Sequence, residues 1–188
     1  MKIIGGSFSG HSIIAPKGRT SRPTAARTRE SLFNILAHRE DFVFDGARVV
    51  DLFAGSGALG FEAISRGASF CLFVETDAAA RGAIRDNIDA LSLFGVTRLH
   101  RRSATALGDK PAGLGDRFDL AFIDPPYGKG LAQEALVTLS DGHWLRPDAL
   151  VAVEQGAKED PALSAGFTEV DRRSYGDTQI GILTYCGV

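Results

Sequence analysis

Short apolar runs alternate with amphipathic segments along most of the chain after residue 47. The apolar runs are followed by Gly or Asp turns and predict strands over residues 48–53, 70–75, 97–101, 120–124 and 150–154. The segments between them predict helices over residues 58–66, 78–94 and 130–140. Apolar strands that alternate with helices are typical of a parallel sheet covered on both faces. The pattern therefore predicts the α/β fold class, with a mostly parallel sheet and helices on both faces.

The two ends of the chain depart from this pattern. Residues 168–173 and 179–185 flank a turn at residues 175–177 and predict an antiparallel hairpin on the edge of the sheet. At the other end, a strand-like opening and a stretch rich in Gly, Ser and Pro lead to Pro23, which is typical of a helix entry. We expect that helix to run to about His38.

Composition limits the class of protein and its compartment. The 188 residues are 44% hydrophobic and 23% charged, which fits one globular domain rather than a disordered chain. No apolar run approaches the ~18 residues that cross a bilayer, and the opening lacks the features of a secretory signal. We therefore expect a cytoplasmic protein, a monomer by default, with no membrane partner. Cys71 and Cys186 lie in separate apolar runs, so we expect two buried, inert thiols and no metal site.

Positive charge is concentrated near the start of the chain. The first 30 residues carry a net charge of +5, although the whole chain carries −2. A basic arm on an acidic domain favours a polyanion such as RNA, because Lys and Arg neutralise phosphates and release counterions. A solvated tail is the alternative that charge alone leaves open. The candidate RNA-binding residues are Lys17, Arg19, Arg22, Arg27 and Arg29.

A glycine-rich loop follows the first predicted strand. Residues 51–60 contain three glycines in GxGxxG spacing, beginning at Gly55, between an apolar strand and a helix start. Such glycines let the backbone turn sharply and approach a ligand, and the N–H groups at the helix start point toward it. Glu75 ends the second predicted strand, where a carboxylate can accept both ribose hydroxyl hydrogens. The two features predict a ribose-bearing cofactor, with a tight turn that binds no ligand as the alternative.

Asp51 helps to decide which cofactor this loop binds. A dinucleotide loop brings its helix N-terminus onto a pyrophosphate, and an acid at the strand tip would repel that charge. S-adenosylmethionine carries an amino group and a sulfonium but no phosphate, so an acidic tip favours it. We therefore predict S-adenosylmethionine, with an NAD-dependent oxidoreductase as the alternative of another class. The candidate cofactor-binding residues of this part of the chain are Asp51, Phe53, Ala54, Gly55, Ser56, Gly57 and Glu75.

The tetrapeptide Asp124-Pro125-Pro126-Tyr127 follows the fourth predicted strand, at the edge where open parallel sheets bind ligands. Prolines lack N–H donors, so the Asp124 carboxylate and the Pro125 carbonyl remain as acceptors that match one exocyclic NH2 group. Tyr127 can stack on the base that carries this group. These four are the candidate catalytic residues of methyl transfer to an amine, with a rigid turn as the alternative.

Six stretches of the chain together resemble the RsmD-type methyltransferases, a bacterial family that transfers methyl from S-adenosylmethionine to a guanine N2 of 16S rRNA. The stretches are residues 3–6, 22–24, 29–34, 51–60, 62–68 and 124–127. The glycine loop and DPPY each occur in other methyltransferases. Their ordered combination with the RPT and RESLFN motifs is specific to the family.

The resemblance implies one methyltransferase domain over residues 1–188, built on a Rossmann-like, seven-stranded sheet. It implies that residues 1–40 bind RNA and cover the cofactor, with 16S rRNA or the 30S particle as the partner. It also implies that the adenine lies near Ser103 and Ala104, although relatives usually carry an acid or amide at the position of Ser103. The arm departs further from the family pattern, which is more basic or polar, at Ser9, His11, Ser12, Ala25 and Ala26.

Two other functions remain open from the sequence. A DPPY enzyme could act on the N6 of adenine or the N4 of cytosine in DNA, but a chain of this length has no separate domain for reading a DNA sequence. This favours a preformed RNA target. A non-catalytic RNA-binding module could retain the same fold, but the intact DPPY motif argues against it.

Overall fold

Seven strands form one sheet in the part of the chain that a computed structural model describes, residues 1–16 and 23–187. The strands are β1 (Arg48–Leu52), β2 (Phe70–Val74), β3 (Thr97–His100), β4 (Phe118–Ile123), β5 (Leu145–Gly156), β6 (Phe167–Tyr175) and β7 (Thr178–Tyr185). Their order in the sheet is β3-β2-β1-β4-β5-β7-β6, and β1 to β5 are parallel. Strand β7 lies antiparallel between β5 and β6. The predicted fold class and the C-terminal hairpin are confirmed.

Helices cover both faces of the sheet, because its central strands are apolar on both sides. The described helices are α1 (Pro23–Ala37), α2 (Ala58–Ser65), α3 (Ala78–Ala90) and α4 (Leu131–Asp141), with a short 3-10 turn at Ala112–Leu114. Helices α1 to α3 share one buried cluster that contains Phe33, Phe61 and Phe122. Helix α4 lies in the cluster on the opposite face, with Leu52 and Trp144. Both faces of the central strands are therefore closed to water, whereas the edge strand β6 is largely exposed.

The order of the strands reverses between β1 and β4. The chain leaves β1 toward β2 and β3 on one side, and later returns to β4 and β5 on the other. Ligands bind in open α/β sheets at the carboxyl ends of the strands at such a switch point. The register pairs Leu52 of β1 with Ile123 of β4, so the loops that follow these residues begin side by side. The glycine loop and DPPY are these two loops.

Residues 1–16 fold back onto α2 and α3. The buried carboxylate of Glu62 accepts hydrogen bonds from the backbone N–H groups of Ile4 (2.7 Å) and Gly5 (2.9 Å), and from Arg66 Nε (2.9 Å). Gly6 has a φ of 77°, and a Cβ there would lie 1.8 Å from the carbonyl oxygen of Ser65, so only glycine permits this contact. The start of the arm is thus packed on the domain.

Asn87 of α3 fixes the far end of this segment. Its Oδ1 accepts from the N–H of Ile14 at 2.8 Å, and its Nδ2 donates to the carbonyls of Ile14 (3.0 Å) and Ser56 (3.3 Å). One buried amide therefore connects the arm, where it leaves the domain, with the glycine loop.

Several local predictions were wrong. The opening forms a single antiparallel bridge between Lys2 and Ser12 instead of a strand. Helix α3 ends four residues before the predicted Phe94, because Ser92 takes a left-handed conformation with φ of 56°. Strand β5 is longer than predicted at both ends. Cys186 is exposed, since it follows the last residue of β7, whereas Cys71 is buried as expected.

Candidate active site

The glycine loop makes a tight turn between β1 and α2. Gly55 and Gly57 have φ of 57° and 79°, and Phe53, which is not a glycine, also takes a left-handed φ of 61°. Such backbone conformations in a residue other than glycine cluster at functional sites. At Gly60, a Cβ would lie 2.3 Å from the Phe73 ring and 2.5 Å from the Sγ of Cys71. The absence of a side chain therefore lets α2 pack directly against β2, which fixes the start of the helix beneath the loop.

Asp51 lies below this loop instead of at its surface. Its carboxylate is 1% exposed and accepts a hydrogen bond from the N–H of Gly60 at 2.9 Å. Burial raises the pKa of Asp51 to about 8, and the nearby charge of Glu75 acts in the same direction. A cation that entered the loop would lower this pKa. The expectation of an acid at the exposed strand tip is therefore wrong, because Asp51 lies one residue before the end of β1 and is covered by the loop. Its charge depends on what lies beside it.

Glu75 joins the glycine loop to the end of β2. Its Oε2 accepts from the N–H of Gly55 at 2.8 Å, and its Oε1 accepts from the N–H of Asp77 at 2.8 Å. Each carboxylate oxygen has a second lone pair, so the group can also accept ribose hydroxyls. The structure therefore brings together the glycine loop and Glu75, as the sequence predicts.

The predicted adenine side of the site follows β3. The Ser103 hydroxyl lies 2.9 Å from that of Thr105, so it turns back toward its own loop. Ala104 is buried, and its carbonyl accepts from the Thr138 hydroxyl at 3.2 Å. The loop backbone is thus fixed by α4, and no side-chain acid or amide stands at the position of Ser103.

The DPPY loop continues from the end of β4. Asp124 and Pro126 are exposed, whereas Pro125 is buried. Tyr127 is 41% exposed, and its hydroxyl donates to Glu154 Oε1 at 2.7 Å and lies 3.1 Å from the Thr178 hydroxyl. Burial raises the pKa of Tyr127 above its usual range, so the phenol stays protonated at neutral pH. The tyrosine is therefore anchored by residues outside its own loop.

The sequence analysis missed Glu154 as a site residue. The register pairs Ile123 with Val153, which places Asp124, just after β4, beside Glu154, two residues before the end of β5. Glu75 and Glu154 each follow an apolar run directly in the sequence, so the signal that identified Glu75 could also have identified Glu154. The carboxyl edge of the sheet is thus acidic over three strands, which suits a cationic ligand or an amine.

The predicted RNA-binding residues fall into three groups. Lys17, Arg19 and Arg22 lie outside the described residues. Arg27 is exposed on α1. Arg29 is only 9% exposed and points inward, where it donates to the carbonyl of Lys2 at 2.7 Å and contacts the Met1 sulfur at 3.1 Å. Burial lowers the pKa of Arg29. This placement gives Arg29 a structural contact with the start of the arm and does not support a direct contact with phosphate.

We also searched the described residues for a metal site, a membrane-spanning helix and a second cavity. Across residues 1–16 and 23–187, no cluster of three or more His, Cys, Asp or Glu side chains is arranged to hold a metal. No helix within the same ranges is long and apolar enough to span a membrane. A groove of about 470 Å³ runs between α1 and β6, but none of the predicted cofactor-binding or catalytic residues lines it.

Comparison with known proteins agrees with this geometry. The model of the family described as conserved hypothetical protein 95 matches residues 1–184. The ribosomal RNA small subunit methyltransferase D of Escherichia coli is 36% identical over 82% of this chain and 74% of its own length. YlbH of Bacillus subtilis, described as a candidate rRNA methyltransferase, is 35% identical over 97% of each chain.

A solved structure extends the likeness to three dimensions. The Escherichia coli protein YhhF, described as a candidate methyltransferase, superposes with a TM-score of 0.82 at 31% identity, covering 100% of this chain and 99% of that one. The match of the family model over nearly the whole chain and the identity to the methyltransferases D are together decisive. This chain belongs to the family of the ribosomal RNA small subunit methyltransferases D.

Proposed function

We propose that this protein transfers a methyl group from S-adenosylmethionine to the exocyclic N2 amine of a guanine in 16S rRNA. Methyl transfer to ribosomal RNA is supported by the names of the relatives at 35% and 36% identity. The assignment to an amine rests on one observation. The register of β1 and β4 places the starts of the glycine loop and the DPPY loop side by side. A ribosomal substrate would place the reaction in the cytoplasm.

The residues around the glycine loop fit S-adenosylmethionine. The close approach of the loop backbone leaves N–H groups at the start of α2, and the Glu75 carboxylate stands beside Gly55 to accept ribose hydroxyls. Asp51 lies beneath the loop and would be more fully ionised beside a positive charge. S-adenosylmethionine supplies an electrophilic methyl group on a sulfonium. A dinucleotide would instead bring phosphate charge to a strand edge already occupied by acids.

Asp124 and Pro125 are proposed to bind the target amine. The lone pair of an exocyclic amine is delocalised into the base, which makes the nitrogen a poor nucleophile. Hydrogen bonds from its two hydrogens to the Asp124 carboxylate and the Pro125 carbonyl would favour the tetrahedral form and direct the lone pair toward the methyl group. Positioning of this kind accounts for most of the proposed rate enhancement. Tyr127 would stack on the base and hold its plane.

Asp124 has a second, smaller role in this proposal. The amine loses one proton after transfer, and the Asp124 carboxylate is the group in contact with it. An ordinary carboxylate is a weak base, so the proton would pass on to solvent, to which Asp124 is open. The exposed position of this residue agrees with that path.

The basic arm is proposed to bind rRNA phosphates. Its candidate contacts are Lys17, Arg19, Arg22 and Arg27, of which Arg27 is exposed on α1. Such contacts position the RNA without reading its sequence. The target guanine would then be selected by the shape of the rRNA or of the 30S particle.

The proposal is tested by incubating the protein with labelled S-adenosylmethionine and 30S particles that lack the modification, and by mapping the methylated nucleotide. We expect one labelled guanine N2. Asp124→Ala should bind the cofactor normally and lose at least about a hundredfold in turnover. Asp86→Ala, an exposed acid on α3, is the matched control and should behave as wild type. Label on an adenine or cytosine, or full turnover by Asp124→Ala, would contradict the assignment.

A further inference from the structure

Tyr127 is held from outside the DPPY loop. Its hydroxyl donates to Glu154 Oε1 at 2.7 Å and lies 3.1 Å from the hydroxyl of Thr178. Glu154 lies near the end of β5, and Thr178 is the first residue of β7. The contacts thus join the loop after β4 to two other strands, across 27 and 51 residues of the chain.

The loop that continues from Tyr127 lies at the surface. Residues 126–130 are all exposed, and Gly128 and Gly130 both take left-handed conformations, with φ of 76° and 66°. An added Cβ at either glycine would meet nothing within 4 Å, so open space surrounds this part of the loop. The two hydroxyl contacts connect the ring of Tyr127 to strands outside this exposed loop.

The anchor itself is rigid. Gln179, next to Thr178, donates from Nε2 to the carbonyls of Gly156 (3.0 Å) and Glu159 (2.7 Å), and its Oε1 accepts from Arg172 at 2.8 Å. These bonds tie together the ends of β5, β6 and β7. A side chain held by this framework is held in a fixed place relative to the sheet.

The chemistry of the contact also favours a firm hold. A phenol that donates to a carboxylate makes a charge-assisted hydrogen bond, which is stronger than one between neutral groups. The hydrogen bond to Glu154 lies at the surface, whereas Thr178 is buried, so its hydroxyl is the partner better protected from water.

We propose that Glu154 and Thr178 are positioning residues for Tyr127, and that they set the aromatic wall of the target-base site before the RNA arrives. This inference rests on the proposed function, because it assigns Tyr127 to the base. A ring that is already in place loses no further side-chain entropy when the base stacks on it. The C-terminal hairpin, which holds none of the family motifs named above, would then contribute directly to substrate affinity.

The test compares Tyr127→Phe, Glu154→Leu and their double variant in methyl transfer to 30S particles that lack the modification. Each single variant should lower kcat/KM by about tenfold, mainly through KM, with the cofactor Kd unchanged. The kcat/KM of the double variant should be no lower than that of the less active single variant, because both substitutions remove the same contact. Glu154→Gln keeps an acceptor oxygen and should stay within about threefold of wild type. Thr178→Val should produce a smaller loss than Glu154→Leu.

A second measurement does not depend on activity. The order parameter of the aromatic ring at residue 127, measured by NMR relaxation, should fall below about 0.6 in both Tyr127→Phe and Glu154→Leu and stay higher in wild type. Glu134→Leu, which replaces an exposed glutamate on α4, is the matched control and should change neither this order parameter nor kcat/KM.

The outcomes separate the two proposals. Absence of wild-type transfer to the particles would overturn the proposed function, while a lower ring order parameter in the variants would still show the anchor. An unchanged order parameter, or effects on kcat/KM that multiply in the double variant, would overturn the positioning role even if Asp124→Ala is inactive.

Discussion

Removal of the Glu62 carboxylate should destabilise the protein more than removal of any exposed acid. This group is fully buried and accepts three hydrogen bonds, from the N–H groups of Ile4 and Gly5 and from the Arg66 guanidinium. Glu62→Ala would leave both N–H donors and the charge of Arg66 without their partner. An unpaired buried donor costs about 1–3 kcal/mol, and breaking a buried ion pair costs about 3–5 kcal/mol.

The structure places the expected loss below that sum, at the lower figure for a buried ion pair alone. The Arg66 side chain is 18% exposed and can regain water, and the first residues of the arm can move away to do the same. We therefore expect Glu62→Ala to lower the free energy of unfolding by about 3 kcal/mol. Glu30→Ala, an exposed glutamate on α1, should change it by less than about 0.5 kcal/mol.

Urea denaturation followed by circular dichroism measures this difference, and hydrogen exchange locates it. The amide protons of Ile4 and Gly5 should lose their protection in Glu62→Ala, while those of β1 and β4 should change only with global stability. A loss below about 1 kcal/mol, or full protection of these two amides in the variant, would refute the reasoning.

Three further predictions follow from the site and the arm. Because burial raises the pKa of Asp51 to about 8, above that of the unfolded chain, the free energy of unfolding should fall as pH rises from about 4 to 8 and then level off. Denaturation across this range should show a weaker fall in Asp51→Asn; identical profiles would contradict the buried acid. Gly60→Ala should lower stability by about 1–3 kcal/mol in thermal unfolding because its methyl group overlaps β2, whereas Gly82→Ala, with open space around it, should raise it slightly. Arg27→Ala should reduce the salt dependence of RNA binding by about one counterion at unchanged stability, whereas Arg29→Ala should lower stability by about 2 kcal/mol; the reverse pattern in binding and denaturation assays would contradict their placement.

The central sheet is the part of the fold that its sequence predicts best. Strand β1 was predicted to within one residue at its C-terminal end, and the β2 prediction agrees equally well. A strand that is buried on both faces needs a continuous apolar run. The local sequence pattern and the place of the strand in the fold therefore predict the same element. The glycine loop and Glu75 were predictable for the same reason, since the chemistry follows directly after the strand that positions it.

The errors lie where the outcome depends on contacts between distant parts of the chain. The charge of Arg29 predicts exposure, but the first two residues of the arm cover it. The opening has the composition of a strand, but the carboxylate of Glu62 takes the backbone N–H groups that a sheet would use. The Tyr127 hydroxyl is anchored by an acid on β5. The local sequence pattern does not predict which acid lies close to a given hydroxyl, because that depends on the pairing of distant strands.

The acids along the carboxyl edge of the sheet also bear on turnover. The proposed cofactor would carry a positive charge on its sulfur, and its thioether product would not. An ionised Asp51 would therefore attract the cofactor more strongly than the product. Electrostatics would then assist product release, and competition binding should find the thioether weaker than the sulfonium at low salt, with a difference that shrinks in Asp51→Asn.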